Sequence, residues 1–300
     1  MYSIFHIEGG AGKNIAATNV VRNIKKTYPD RKLVVVSPYP EVFIHNPYVY
    51  RVYKTGLCPY FYEDYIQDKD SLVFKHEPYN SNEVITRKCS LAQAWCNSLD
   101  LEFDQNKPEL YFNNIEIQNS QVIFNKVNQG KPVIAIQTNG GMGQKDNQIN
   151  FNWYRDLPPF YAQQLVNKYN DKFTFVQIKN GYQIALEGVQ QVDLSLREIF
   201  LLLSQCKGAV AIDSLVQHVM ATFQKPSLVF WIGNSLVVYG YEMHTNLQAQ
   251  VNMTDNIESY MDQYPLNNQG HQCPSSYKMV DLFNSDTVAS SFEQLFLNSK

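Results

Sequence analysis

The chain reads as an α/β protein made of two doubly wound, Rossmann-like lobes, and three observations carry that reading. Apolar strand segments alternate with helical segments from the first residues onward. A glycine-bearing loop follows an opening strand twice, at Gly9–Gly12 and at Asn139–Gly143. The length of 300 residues suits two domains at about 100–200 residues each.

The first lobe is assigned to residues 1–129. It opens on an apolar strand, Ser3–Ile7, followed by the Gly9–Gly12 turn and an amphipathic helix over Asn14–Thr27. In that helix Ile15, Val20 and Ile24 recur near helical spacing. Tyr28-Pro29-Asp30 ends it before a second apolar strand, Lys32–Ser37, so the opening is a βαβ unit with parallel strands. The pattern then weakens through a Tyr-rich stretch to about residue 86. A helix is expected over Lys88–Leu99, a loop around Asn106 to Pro108, and a polar helix over Glu116–Asn128.

The second lobe is assigned to residues 130–285, because the turn Gly130-Lys131-Pro132 restarts the pattern with a strand at Val133–Gln137. After the second glycine loop come a helix (Pro159–Tyr169), a strand (Phe173–Ile178), a helix (Leu196–Cys206) and a strand (Gly208–Ile212). A helix over Leu215–Phe223 and a strand over Ser227–Trp231 complete the alternation. Two such lobes are expected to face a cleft at the carboxyl ends of their strands, where sheets of this kind bind ligands. The last residues, 286–300, are expected as a helix near Val288–Leu297 that is able to pack back on the N-terminal lobe.

Composition narrows the function. Apolar residues make up 44% of the chain, enough for buried cores, whereas charged residues make up only 18% against a usual ~25%. Mean hydropathy is nonetheless −0.33, so uncharged polar side chains supply the balance. The formal charge of −3 excludes a uniformly polycationic chain. A local exception is the segment 13–54, whose eight Lys/Arg outnumber two carboxylates. Lys25, Lys26, Arg31 and Lys32 fit a solvated helix end and turn there, with attraction to an anionic substrate as the other reading. Five cysteines without a C-x-x-C pair indicate neither zinc nor a disulfide framework. Cys89 and Cys96, seven apart, are expected on one face of a helix. The N-terminus lacks the features of a signal peptide and no apolar run reaches about 20 residues, so a cytoplasmic protein is expected.

The sharpest local signal is Asp213-Ser214-Leu215-Val216-Gln217-His218, between a strand and a helix. A helix start at a strand's carboxyl end directs backbone amides and the helix dipole at an anion. Ser214 with Gln217 also has the form of a capping box, which accounts for those residue types without a ligand. His218 lies one turn in, as a ligand for the same anion or as a packed histidine. Ser195-Leu196-Arg197-Glu198 is a second capping box with a structural role. In Thr138–Gly143, Gly140 and Gly141 would let backbone amides approach a pyrophosphate.

Glu8-Gly9-Gly10-Ala11-Gly12-Lys13-Asn14 resembles two nucleotide-binding motifs and matches neither. A Walker A loop needs Gly where Ile7 stands and Ser or Thr where Asn14 stands, and a Rossmann fingerprint needs Gly where Ile15 stands. A tight strand-to-helix turn remains, with a cation at the helix start. Asp68-Lys69-Asp70 lacks a preceding apolar strand, and the histidines show no ligand spacing, so no metal site is assigned.

Taken in order, these residues resemble glycosyltransferase family 9, the group of the heptosyltransferases. The resemblance rests on Gly9-Gly10-Ala11-Gly12 with Ala17-Thr18 and Tyr28-Pro29, on Asn46-Pro47, on Pro108-Glu109-Leu110, and on Trp153 with Leu157-Pro158. It continues through Ser195-Leu196-Arg197-Glu198, Asp213-Ser214 to His218, Lys225-Pro226 and Gly233. It implies a GT-B-like fold and an inverting, metal-independent transfer of a sugar from a nucleotide-diphosphate sugar to a hydroxyl acceptor. Thr138, Asn139, Asp213, Ser214 and His218 would line the donor site, with Gly140 and Gly141 in the same loop and Leu194 near the base. Gly9, Gly10 and Gly12 would face the acceptor.

Three positions depart from that pattern. Lys13 stands where the family carries a candidate general-base Asp, which leaves Glu8 as the nearest carboxylate and Lys13 as a cation for the leaving phosphate. Leu215 replaces a glycine, and Phe151 replaces a lysine for which Lys145 or Arg155 would compensate. A glycan or lipid-linked sugar is the expected acceptor, with a hydroxylated DNA base as an alternative. A noncatalytic nucleotide-sugar or glycan-binding protein is the reading from another class, and an epimerase of the same fold ranks third.

Overall fold

A computed structural model of the chain describes residues 1–140, 152–179, 183–251 and 277–298. The chain divides into two compact units, Met1–Ile117 and Gln118–Lys300.

The first unit is built on β1 (Tyr2–His6), α1 (Ala11–Thr27), β2 (Lys32–Ser37), β3 (Val49–Lys54), α2 (Phe61–Tyr65), β4 (Ser71–Phe74), α3 (Asn82–Ile85) and α4 (Leu91–Ser98). Helix α5 (Asn114–Val127) carries the chain from one unit into the other. The four strands form a parallel sheet in the order β3-β2-β1-β4. Strand order therefore reverses between β1 and β4, the kind of switch point at which α/β sheets open a crevice beyond their carboxyl ends.

Helix α1 departs from the amphipathic expectation: Lys13 through Ile24 are all buried. Its polar residues bond partly within the helix and partly to distant segments. Arg22 donates to both carboxylate oxygens of Asp104 (2.9 and 2.8 Å) and to the Lys107 and Gln105 carbonyls, while Asn19 and Thr18 accept the amides of Lys107 and Glu109. Buried polar groups without such partners would cost about 1–3 kcal/mol each. Helix α4 is capped by Ser90, so Cys89 lies outside it and the two cysteines do not share a helical face.

The second unit contains β5 (Val133–Ile136), α6 (Pro159–Tyr169), β6 (Thr174–Gln177), β7 (Gln190–Gln191), α7 (Leu196–Gln205), β8 (Gly208–Ile212), α8 (Leu215–Thr222), β9 (Ser227–Trp231), α9 (Leu236–Tyr239), β10 (Thr245–Gln248) and α10 (Ser285–Phe296). Its strands are all parallel, in the order β10-β9-β8-β5-β6-β7. This is the doubly wound arrangement, with the order reversing between β5 and β8. Fully buried runs in β5, β6, β8 and β9 agree with strands covered on both faces.

The terminal helix α10 belongs to the second unit's own core and is not an appendage of the first lobe. Phe292 stacks on Tyr169 at 4.7 Å, and Phe296 packs against Phe173 and over Gly208. No helix among the described residues is long and apolar enough to cross a membrane.

Candidate functional site

Of the residues singled out in the second unit, Thr138, Asn139 and Gly140 follow β5 and Asp213, Ser214 and His218 follow β8, on either side of its switch point. The loop after β5 (Gln137 to Gly140) and the loop after β8 (Asp213-Ser214) are carried by adjacent strands. The two loops are tied together where Gln137 Oε1 accepts the Val216 amide of α8 at 3.0 Å. That bond corrects the expected capping box. Ser214 makes no side-chain capping bond, and Gln217 instead donates to Asp213 Oδ1 (3.1 Å) and to the Tyr239 carbonyl (3.0 Å). Ser195 and Glu198 pair as expected, the Glu198 carboxylate accepting both the amide and the hydroxyl of Ser195.

The glycine loop is held by a residue that sequence reasoning passed over. Buried Asp156 accepts the Gly140 amide (2.9 Å), the Asn139 side-chain amide (3.1 Å) and the Asn152 amide (3.1 Å). Thr138 donates its hydroxyl to Asn139 Oδ1 at 2.9 Å and accepts the Leu157 amide on its carbonyl. Against this loop lies Arg155. A Cβ on Gly140 would stand 1.8 Å from its terminal nitrogen, so only glycine lets the guanidinium seat there. Arg155 Nε is buried without a hydrogen-bond partner among the described residues; Asp156 Oδ1, at 3.7 Å, is beyond bonding distance.

Asp213 is half-buried just before α8, where Asn234 and Gln217 donate to its two oxygens. Burial raises its carboxyl above the usual range, and the positive charge of Arg155 works against that shift. Nearby, His218 Nδ1 meets the Tyr241 hydroxyl at 2.9 Å, and His244 donates Nε2–H to the Gln217 carbonyl at 3.0 Å. Burial lowers His218 to about 3 and His244 to about 4, so both rings are neutral at physiological pH. The 3.9 Å approach of His218 Nε2 to Asp213 is therefore not an ion pair there, and His218 reads as a packed histidine of the wall. Leu194 lies beyond the carboxyl end of β7, just before α7, and is half-buried. Gly141, Lys145 and Phe151 lie outside the described residues.

In the first unit, the loop after β1 and the segment after β4 bring together a different set. Lys13 does not stand open to a phosphate: its side chain is 4% exposed, and Nζ lies 2.7 and 2.5 Å from the two oxygens of Glu77. The same ammonium sits 4.7 Å from the Tyr79 ring centroid and 5.3 Å from that of Trp95. Gly9, at φ +93°, lets the lysine stem fold back, since a Cβ there would stand 2.9 Å from Lys13 Cδ. Gly10 precedes α1, and its carbonyl accepts the Asn14 side chain at 2.9 Å; Gly12 lies in the first turn. Glu8 is exposed, 3.4 Å from Lys75 and 3.7 Å from His6.

Half of the eight cations of segment 13–54 pair with carboxylates from elsewhere in the first unit. Besides Lys13, Arg22 and Lys26 share Asp104, Arg31 pairs with Asp70 at 2.8 Å, Lys25 donates to main-chain carbonyls, and Lys32 lies over the Tyr50 ring.

No protein-family profile matches the sequence, and no curated protein sequence matches it. Solved structures do. The chain is similar to a glycosyltransferase family 9 structure from Veillonella parvula, with 13% identity and TM-score 0.72 over 99% of this chain and 98% of that one. It is similar to the E. coli ADP-heptose LPS heptosyltransferase II, with 12% identity and TM-score 0.67 over 99% of each chain. The E. coli heptosyltransferase WaaC with ADP matches at 10% identity and TM-score 0.52, over 83% of this chain and 93% of that one. The two parallel-sheet units are thus those of a GT-B glycosyltransferase fold, with little sequence identity remaining.

Proposed function

We propose that this protein is a glycosyltransferase that moves a sugar from a nucleotide-diphosphate sugar to a saccharide hydroxyl, with the second unit holding the donor. The observation that carries the reading is the β5/β8 switch point, where Gly140 is bare, Arg155 presents a buried Nε without a hydrogen-bond partner among the described residues, and the start of α8 points its dipole outward. A diphosphate suits that set because charge gathers on it as the sugar departs, and prearranged donors stabilise developing charge. Arg155 supplies the cation that Phe151 does not. Thr138, Asn139, Ser214 and Leu194 complete the proposed donor site, Asp156 and Asp213 organise it, and His218 supports its wall.

Of the E. coli structures of the same fold, one is named an ADP-heptose LPS heptosyltransferase and another, WaaC, holds ADP, which makes ADP-sugars the first donors to try. Inversion and independence from divalent metal complete the proposal, following the resemblance. A DNA acceptor finds little support in the basic segment, since four of its eight cations are paired with carboxylates of the first unit.

Calorimetric titration with a panel of nucleotide sugars, followed by nucleoside-diphosphate release with saccharide acceptors in EDTA, tests the reading. At least one donor is expected to bind and turn over. Arg155→Met is expected to weaken that donor by about 10- to 150-fold, the range of a charge-assisted hydrogen bond of about 1.5–3 kcal/mol. Failure of every nucleotide sugar to bind sinks the proposal, and tight binding without turnover across the acceptors replaces it with a binding protein.

A further inference from the structure

We infer that Glu77 is the base that takes the acceptor's proton, with Lys13 as its positioning residue; this rests on the glycosyltransferase reading above. The first unit's sheet reverses between β1 and β4, and Glu77 follows β4 while Lys13 enters α1 just after β1. The pair therefore sits where a ligand of this unit is expected.

The two ends of the pair differ in exposure. The ammonium side chain is 4% exposed and backed by two aromatic rings, whereas the carboxylate side chain is 32% exposed. A carboxylate has about four lone-pair sites. Lys13 occupies one on each oxygen and the Tyr79 amide lies 3.4 Å from Oε1, so Oε2 keeps a position for an incoming hydroxyl. A base needs a fixed place within hydrogen-bond reach of the proton it removes. Glu77 has that fixation. Glu8 is 58% exposed, and one of its two partners, Lys75, is itself 61% exposed.

In the step assigned to it, the acceptor O–H proton passes to a Glu77 oxygen as the acceptor oxygen bonds to the anomeric carbon. The bond from that carbon to the diphosphate oxygen breaks, and its electron pair leaves with the nucleoside diphosphate. The proton on Glu77 is then lost to solvent.

The experiment uses the full chain, a nucleotide sugar that it binds, and a panel of mono- and disaccharides with water as the remaining acceptor, reading nucleoside-diphosphate release. Glu77→Gln is expected to lower kcat by about 10²- to 10⁴-fold with donor KM unchanged within about twofold. Glu77→Asp, which keeps a carboxylate, is expected to recover part of the rate. Because Glu77→Gln leaves a buried ammonium unpaired, the double variant Lys13→Met/Glu77→Gln serves as the fold control: it regains thermal stability and stays inactive. A double variant that turns over within about tenfold of the parent overturns the assignment. So does a larger loss from Glu8→Gln than from Glu77→Gln. If the parent protein releases no nucleoside diphosphate from any donor, the transferase reading falls and this assignment with it.

Discussion

The two units repeat one plan and finish it in opposite ways. Each sheet reverses order beside its opening strand, each opening strand runs into a glycine loop, and each loop has a cation lying against a glycine. In the first unit that cation is Lys13, and a carboxylate of the same unit takes it at hydrogen-bond distance. In the second it is Arg155, whose nearest described carboxylate, Asp156, spends its bonds on the loop backbone and on Asn139 instead. One cation is paired within the fold and the other keeps a buried Nε without a hydrogen bond among the described residues, so equal topology leaves the two cations differently satisfied.

The largest effect expected from breaking this contrast is on stability. Glu77→Gln should cost about 3 kcal/mol or more, the penalty of leaving a buried charge unpaired, and Lys13→Met/Glu77→Gln should recover most of it. Arg155→Met should change stability far less, because no hydrogen-bonded ion pair among the described residues is lost. Urea melts of the three variants check this, and equal losses at Glu77 and Arg155 would erase the distinction between the units.

Acid provides a sharper separation. The folded forms of His218 and His244 have pKa values below the unfolded value near 6.5, so the unfolded chain binds more protons as pH falls. Their contribution is complete above about pH 6.5 and is lost toward pH 4, at a slope approaching about 1.4 kcal/mol per pH unit for each ring. Asp213, raised by burial, works in the opposite direction over the lower part of that range. Melting temperature measured from pH 7.5 to 4.5 should fall, and His218→Gln should flatten the fall. An unchanged slope in that variant would remove His218 as its source.

The smallest effect concerns the start of α8. If Gln137 is its cap, Gln137→Ala should cost about 1 kcal/mol and Ser214→Ala less than about 0.5 kcal/mol, within the cost range of a lost cap. The reverse order in thermal melts would restore the capping role to Ser214.

Much of this architecture was legible in the chain. The strands at 133–136, 208–212 and 227–231 announce themselves because burial on both faces makes them nearly continuous apolar runs. The Tyr-rich stretch hid β3 and β4, since β3 is an edge strand whose buried and exposed positions do not alternate. The candidate site was legible where it is local, as at Asp213-Ser214 and Gly140. It was not legible where it depends on distant partners. Asp156 acts on Gly140 across 16 positions and Glu77 on Lys13 across 64, separations at which spacing carries no periodic signal. Gln137 could have been suspected as a polar residue closing an apolar strand at a ligand-binding edge, but its bond to α8 spans 79 positions.

The polar, buried side of α1 has a consequence for how quickly the first unit can form. The Arg22 guanidinium finds its carboxylate only when Asp104 arrives, 82 positions along the chain, whereas Thr18 and Asn19 already donate to the Ile15 and Ala16 carbonyls of their own helix and gain a second partner there. Until that long loop closes, packing α1 on the sheet would bury the charge of a guanidinium unpaired, and contacts of such sequence separation are slow to make. The βαβ opening that is easiest to read in the sequence is thus expected to finish late in its own folding, because its central helix must wait for the far end of its unit.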